Sequence, residues 1–302
     1  VKSAIVAVFL AGTGIALALG DPYALRLATL LAMNIALASG WNVIGGMAGY
    51  PSFATAAFFG LGAYAGALAQ LAGAPMPLAW LFAACAATLV ALAVGWLVLR
   101  LRGHYFAIAS LAVVIILRQA ATNWTGLTGG GMGLNLPVLR SGVVEQARYF
   151  FAAQAVLAGL AVAASWFVSE SRLGFALRCI RQNETAAGML GLDARKTKAA
   201  AFALSAVIAG PAGAIYASSV FYIEPGDVFD IVRGVEPIIM AMLGGVGSVA
   251  GPVLGAVLFL TLEQTVWAHL VSIHQAVLGV LIVALALCLP RGLLGRFRRT
   301  QA

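Results

Sequence analysis

Few side chains in this 302-residue chain are equipped for chemistry, and their spacing decides what chemistry is open to them. His269 and His274 stand five apart without a carboxylate or cysteine neighbour at ligand spacing, so they make no recognisable metal site. His104 is a lone histidine at a helix start and suits capping or interfacial contact rather than metal. Glu224, Asp227 and Asp230, set against Arg233, are clustered, but their spacing does not fit an EF-hand loop and reads as a solvated segment. Cys85, Cys179 and Cys288 have neither metal nor redox spacing and read as free thiols. The glycine run at Gly129, Gly130, Gly131 and Gly133 lacks the Lys-Ser/Thr ending of a phosphate-cradling loop, and no such motif occurs elsewhere in the chain. The expectation is a protein with no catalytic group, no metal site and no cofactor bound by its own residues.

What remains is one long polar run, Glu170 to Lys198. It sets Arg172, Arg178, Arg181, Arg195, Lys196 and Lys198 against Glu170, Glu184 and Asp193, leaving three positive charges in excess. Apolar segments long enough to cross a bilayer flank it, so it reads as a loop on one membrane face, and its basic excess places that face in the cytoplasm. At its centre, Asn183 can cap a helix, Glu184 favours the positive helix start, and Gly191 can end the helix in a left-handed conformation. The short helix between them offers Ala186, Ala187 and Gly188 as a surface that another protein can approach closely, with Met189 and Leu190 as apolar anchors. Packing of the same helix on its own membrane domain is the alternative.

The elements that carry this segment follow from composition. The chain is 62% hydrophobic and 9% charged, with mean hydropathy +1.00, far from a soluble domain with its roughly 25% charged residues. The fold class is all-α: one polytopic membrane domain over 1–302, with the 170–198 loop outside the bilayer. The net charge of +8 does not imply nucleic acid, because the basic residues cluster at the ends of apolar runs, where they report orientation and contact with anionic lipid. Spans are expected over 4–20, 25–44, 53–72, 78–99, 104–122, 148–169 and 199–222, the last interrupted at Gly210-Pro211. The first could instead be a cleaved signal peptide. Two short crossings, 237–243 and 249–268, turn at Gly244 to Ser248, and a final span covers 273–289.

That makes about ten transmembrane helices, some broken or short, with both termini cytoplasmic. Thirteen basic residues then fall inside (Lys2, Arg100, Arg102, the six of the polar run, Arg291, Arg296, Arg298 and Arg299), and four fall outside (Arg26, Arg140, Arg148 and Arg233). Arg118 lies in a span, near an end from which it can snorkel. In the second span Asn34, Ser39, Trp41 and Asn42 must face protein or a pathway rather than lipid. Glycine-rich breaks at 45–52 and 244–248, each followed by a small-residue helix, suggest a weak internal repeat with a solute route between its halves. Ser52, Phe53 and Ser248 sit at those breaks, where backbone polar groups are exposed only toward protein or a cavity.

Several of these segments carry a resemblance. Gly49-Tyr50-Pro51-Ser52-Phe53 with the following Ala56 to Tyr64, then Arg102 to Ala109, Trp124 with Leu127 to Gly130, Gly174 to Gly191, Leu243 to Ser248 with Gly251-Pro252, and Leu289 to Gly292 occur in order. Together they resemble the LivM-type permeases, membrane subunits of bacterial ABC importers for branched-chain amino acids. Thr55 stands where such permeases often carry a larger polar residue. The resemblance implies an inner-membrane importer built with a LivH-type permease subunit, two cytoplasmic ATPase subunits that hold ATP and magnesium, and a periplasmic substrate-binding protein. It implies ATPase coupling through Arg181, Asn183, Glu184, Ala186, Ala187, Gly188, Met189, Leu190 and Gly191. It implies a pathway for a small-molecule substrate past Asn42, Ser52, Phe53, Thr55, Tyr105, Thr128 and Ser248. Urea, short amides and aromatic acids stay open as substrates. An ion-coupled secondary transporter is the reading from another class, and for it Glu263 is the one deep acidic candidate.

Overall fold

The computed structural model describes residues 21–138 and 141–269. The spans expected over 4–20 and 273–289 lie outside these residues, as do Lys2, Arg140, His274, Cys288, the 289–292 motif and the basic tail. Within them, α1 (Pro22–Trp41) begins on the Asp21 side chain, which accepts from the Tyr23 N–H at 3.1 Å, with Pro22 pre-set for the first helical turn. α1 runs on into a π-helical turn, Asn42–Met47. The expected break at Gly45 therefore starts later, at Ala48: tertiary packing keeps Gly45 and Gly46 helical and buried. Then follow α2 (Thr55–Leu71), α3 (Met76–Val98), α4 (His104–Asn123) and α5 (Val143–Glu170).

The polar run is not an extended loop. Ser171 turns the chain and caps α6 (Arg172–Gln182), and Asn183 separates α6 from α7 (Glu184–Met189). Asp193 caps α8 (Ala194–Val220) by accepting from the Arg195 and Lys196 N–H groups, each at 3.1 Å. Arg195, Lys196 and Lys198 thus belong to the first turns of a long helix. Nor is α8 interrupted at Gly210-Pro211: it passes unbroken through Pro211, as membrane helices tolerate when neighbours pack against them. The 223–235 segment is partly helical, with a single turn at Pro225–Val228 and then α9 (Ile231–Gly244), which starts on the Asp230 side chain and includes Pro237. A turn at 245–249 leads to α10 (Ala250–His269), which packs back on α9, as the two-short-helix reading requires.

Five helical stretches, Pro22–Met47, Met76–Val98, His104–Asn123, Val143–Glu170 and Ala194–Val220, are long and apolar enough to cross a membrane. They divide by environment. Of the most apolar 18 residues, 72% are buried in the first and 61% in the last, against 28% in Met76–Val98 and His104–Asn123, so the former make the centre and the latter present side chains such as Leu81, Leu89, Ile108 and Ile116 outward. α8 is the hub: it packs on α2, α3 and α1, while α5 lies along α1. Small residues make this closeness possible. Ala79, Ala83, Ala87, Ala91 and Gly95 recur every fourth residue on the buried side of α3, and a Cβ at Gly213 of α8 would sit 2.0 Å from the Phe59 carbonyl oxygen of α2.

The chain has two polar ends. At one, the break after α1, the α3–α4 turn, α6, α7 and the 245–249 turn come together. At the other, β1 (Leu134–Asn135) pairs antiparallel with β2 (Tyr222–Ile223), with Leu134 opposite Ile223, beside the start of α9. Every described segment expected inside gathers at the first end, and the connections expected outside gather at the second.

Candidate coupling and transport site

Asn42 is fully buried, and its amide joins the π-helical turn that precedes the first break to the 245–249 turn. It donates to the Ser248 carbonyl at 2.9 Å and accepts from the Gly247 N–H at 2.8 Å. A Cβ at Gly46 would lie 1.9 Å from Asn42 Oδ1, so only glycine leaves room for this bridge. On the α1 side of the break, Trp41 Nε1 donates to the Ser52 carbonyl at 2.8 Å. The Phe53 N–H donates to Ser110 Oγ of α4 at 2.9 Å, and Ser52 Oγ accepts from the Ala54 N–H at 3.2 Å. Ser248 Oγ donates to the Gly245 carbonyl at 2.8 Å and accepts from the Gly251 N–H at 3.0 Å, closing the turn into α10. Both breaks are thus backbone exposed to protein and held by named side chains, as buried polar groups require.

Arg181, in the last turn of α6, reaches this centre. Its Nη1 donates to the Gly46 carbonyl at 2.6 Å, and the same nitrogen lies 2.8 Å from where a Gly247 Cβ would be. One guanidinium from the polar segment therefore bonds to the π-helical turn and leaves no room for a side chain at Gly247.

α7 is built as its sequence suggests. Asn183 Oδ1 accepts from the Thr185 and Ala186 N–H groups, each at 3.0 Å. The Gly191 N–H donates to the Gly188 carbonyl at 3.0 Å and the Leu192 N–H to the Ala187 carbonyl at 3.2 Å, with Gly191 at φ +80°, a paired closure of the helix end that glycine favours. Its faces differ from expectation in one respect. Ala187 is 2% exposed and packs on its own chain, so it is not part of an accessible surface; its place in the apolar core excludes it. The outward surface is Ala186, Gly188, Met189 and Leu190, with the last two 82% and 74% exposed.

Glu184 does more than favour the helix start. Its carboxylate accepts from Lys198 Nζ of α8 at 3.0 Å and from the Tyr50 hydroxyl in the break, and pairs with Arg102 Nε at 3.5 Å. Lys198 Nζ also donates to the Tyr50 hydroxyl at 3.3 Å and lies 4.4 Å from the Tyr50 ring centre. Burial works to raise the Glu184 carboxyl, but the hydrogen bonds from Tyr50 and Lys198 and the charges of Lys198 and Arg102 outweigh it and hold the group below its ordinary value. Burial pushes the Tyr50 phenol up, and its bond to Glu184 adds to this. The residues of this cluster beyond Glu184 carry no local sequence signal: Lys198 stands last in the polar run, and only the fold buries it in α8 against Glu184.

The structure does not bring together all the expected pathway residues. Asn42, Ser52, Phe53 and Ser248 meet at the bridged breaks, and Thr55 starts α2 beside them, 2% exposed, its hydroxyl without a hydrogen-bond partner among the described residues. Tyr105 is separate: it is 75% exposed on the outer side of α4. Thr128 lies at the opposite end, where the Ala121 and Trp124 carbonyls, at 2.5 and 2.7 Å, share its one hydroxyl proton and its oxygen accepts from the Gly130 N–H. It closes a turn, so its polar atoms are spent on backbone. No group of three or more potential metal ligands occurs among the described residues.

Residues 23–286 match the family described as branched-chain amino acid transport system, permease component. The chain is 31% identical over 299 residues to the high-affinity branched-chain amino acid transport system permease protein LivM of Escherichia coli strain K12, covering 89% of this chain and 69% of that one. It is 28% identical over 284 residues to the LivH permease protein of the same kind of system in Salmonella typhimurium, covering 86% and 90%. To the BraD permease protein of Pseudomonas aeruginosa it is 32% identical over 133 residues, covering 43% and 42%. No solved structure matches.

Proposed function

Because the chain belongs to the family of branched-chain amino acid transport permease components, we propose that it is one membrane subunit of an ATP-driven importer for branched-chain amino acids. The likeness to both LivM and LivH proteins supports assembly with a second, LivH-type permease. Two ATPase subunits on the cytoplasmic side, holding ATP and magnesium, and a periplasmic binding protein complete the importer. In this reading the chain lies in the inner membrane with about ten crossings and a weak internal repeat, both termini in the cytoplasm. The end carrying α6 and α7 faces the ATPases.

The observation that carries the mechanism is the Arg181–Gly46–Asn42–Gly247 chain of contacts, which ties the exposed α6–α7 segment to the π-helical turn and the 245–249 turn. Met189 and Leu190 dock on an ATPase subunit. When ATP draws the ATPase subunits together, α7 moves with them, and Arg181 and Glu184 carry the displacement to the breaks and to α8. The spans then shift between outward-open and inward-open arrangements, driven by the difference in how ATP- and ADP-bound partners bind those states.

Crosslinking tests the contact. A Leu190→Cys chain with its native cysteines replaced is expected to crosslink to an ATPase subunit in the assembled complex. Ala74→Cys, at the far end of the same chain, is expected not to. Crosslinking of Ala74→Cys but not Leu190→Cys would place the ATPases at the wrong end.

A further inference from the structure

At the end of the molecule away from α7, a cleft of about 240 Å³ opens between α1, α9 and α10. Among the described residues its lining carries Asp227, Asp230 and Glu236, with Arg233 as the one guanidinium. That guanidinium is already engaged. It bonds to Asp227 Oδ1 at 2.5 Å, to the Asp227 carbonyl at 2.9 Å and to the Tyr216 hydroxyl at 2.9 Å. Asp227 is thereby neutralised, and Asp230 caps α9 through the Val232 N–H at 3.1 Å. Glu236 makes no hydrogen bond or ion pair within contact distance with any described residue, and only the field of the Arg233 guanidinium acts on it favourably. A second, independent observation lies across the cleft: Asn34 of α1 is 6% exposed, lines the cleft, and has no hydrogen-bond partner among the described residues. Its amide, held on a buried residue and facing the cleft, is open to a hydrogen bond from a bound molecule. Met33 and Leu260 give the cleft an apolar wall.

We infer that this cleft binds an organic ammonium with an aliphatic body, its –NH3+ donating to the Glu236 carboxylate and its polar neighbour meeting the Asn34 amide. The inference rests on the importer reading and adds to it a place on this chain, with Glu236 as the group that selects the amine. A carboxylate without an ammonium would be repelled by the Glu236 carboxylate, and a neutral amide or urea would gain no ion pair from it. Asn34 and Asn42 lie eight residues apart on one continuous helix, about 12 Å along its axis, so the helix that holds Asn42 also lines the cleft.

The test uses the assembled importer in nanodiscs without its binding protein, and saturation-transfer NMR with three probes: L-leucine, 3-methylbutylamine and 4-methylpentanoate. Leucine and the amine are expected to show transfer and to compete with each other, while the acid shows none. Glu236→Gln is expected to weaken both by about tenfold or more, as loss of a charge-assisted partner does. Asn34→Ala is expected to weaken leucine more than the amine. Transfer to the acid equal to that of the amine, or undiminished leucine transfer in both variants, overturns the proposal. The wild-type comparison of amine with acid decides the matter even if a variant does not assemble. ATP-driven leucine uptake by the full importer with no amine preference here refutes the cleft alone, whereas absence of leucine uptake refutes the importer reading.

Discussion

Removing the Glu184 carboxylate leaves the Lys198 ammonium, whose side chain is 2% exposed, without its anion. A buried charge stripped of its partner costs about 3–5 kcal/mol, so Glu184→Ala is expected to lower the thermal midpoint of the detergent-solubilised permease markedly. The double variant Glu184→Gln with Lys198→Met removes both charges and is expected to recover most of the loss; a midpoint as low as that of Glu184→Ala would show that the ion pair is not the cause. The pH dependence has a definite sign. A carboxyl held below its ordinary value of 4.5 contributes fully above that pH and loses its contribution as pH falls through the lowered value. The Glu184 contribution to the midpoint should therefore be present in full and independent of pH around neutrality, and the acid-side loss should shrink in Glu184→Gln. At Gly46 the constraint is steric. Gly46→Ala would drive a methyl group into Asn42 Oδ1, break the bridge between the two turns, and is expected to abolish transport; wild-type uptake by this variant would show that the bridge is dispensable.

At the scale of the element, α7 divides into an inward residue and an outward tip. Leu190→Asp alters a side chain 74% exposed, so folding should be retained while ATPase subunits are lost on purification. Ala187→Asp places a charge in a packed site and is expected to destabilise the permease itself. If both variants fold and both retain the ATPases, α7 is not the docking element. Much of this helix was legible in the sequence, because Asn183 and Gly191 are local signals whose partners lie within a few residues. Its buried face was not legible: Ala186, Ala187 and Gly188 are alike in size, and only the position of α8 and the core decides which one turns inward. The same limit applies to Gly45 and Gly46, where local propensity predicts a break and neighbouring helices impose a π-turn instead. Thr128 shows the converse, a polar residue in a family-like motif whose hydroxyl is used entirely by its own turn. Lys198 reads from sequence as one more loop charge, because nothing local marks it as lying inside a helix against Glu184, fourteen residues earlier.

For the whole molecule, orientation and energy source are the properties that matter. The two polar ends predict that Lys196→Cys, at a side chain 87% exposed, is labelled only from the cytoplasm. Met132→Cys, at a residue 84% exposed at the other end, should be labelled from the periplasm; the opposite pattern would invert the topology. The sequence carried the placement of the described spans and the collection of their connections into two ends, since hydropathy and basic residues follow from the bilayer itself. It did not carry the cleft between α1, α9 and α10, whose residues come from three distant segments. The most direct test of the central claim is uptake of radiolabelled leucine into proteoliposomes holding the complete importer. Binding protein is supplied on one side and ATP on the other, with no ion gradient. The expected result is leucine accumulation that requires ATP on the α7 side and is lost in Leu190→Asp. Accumulation driven by an imposed proton or sodium gradient without ATP would contradict it.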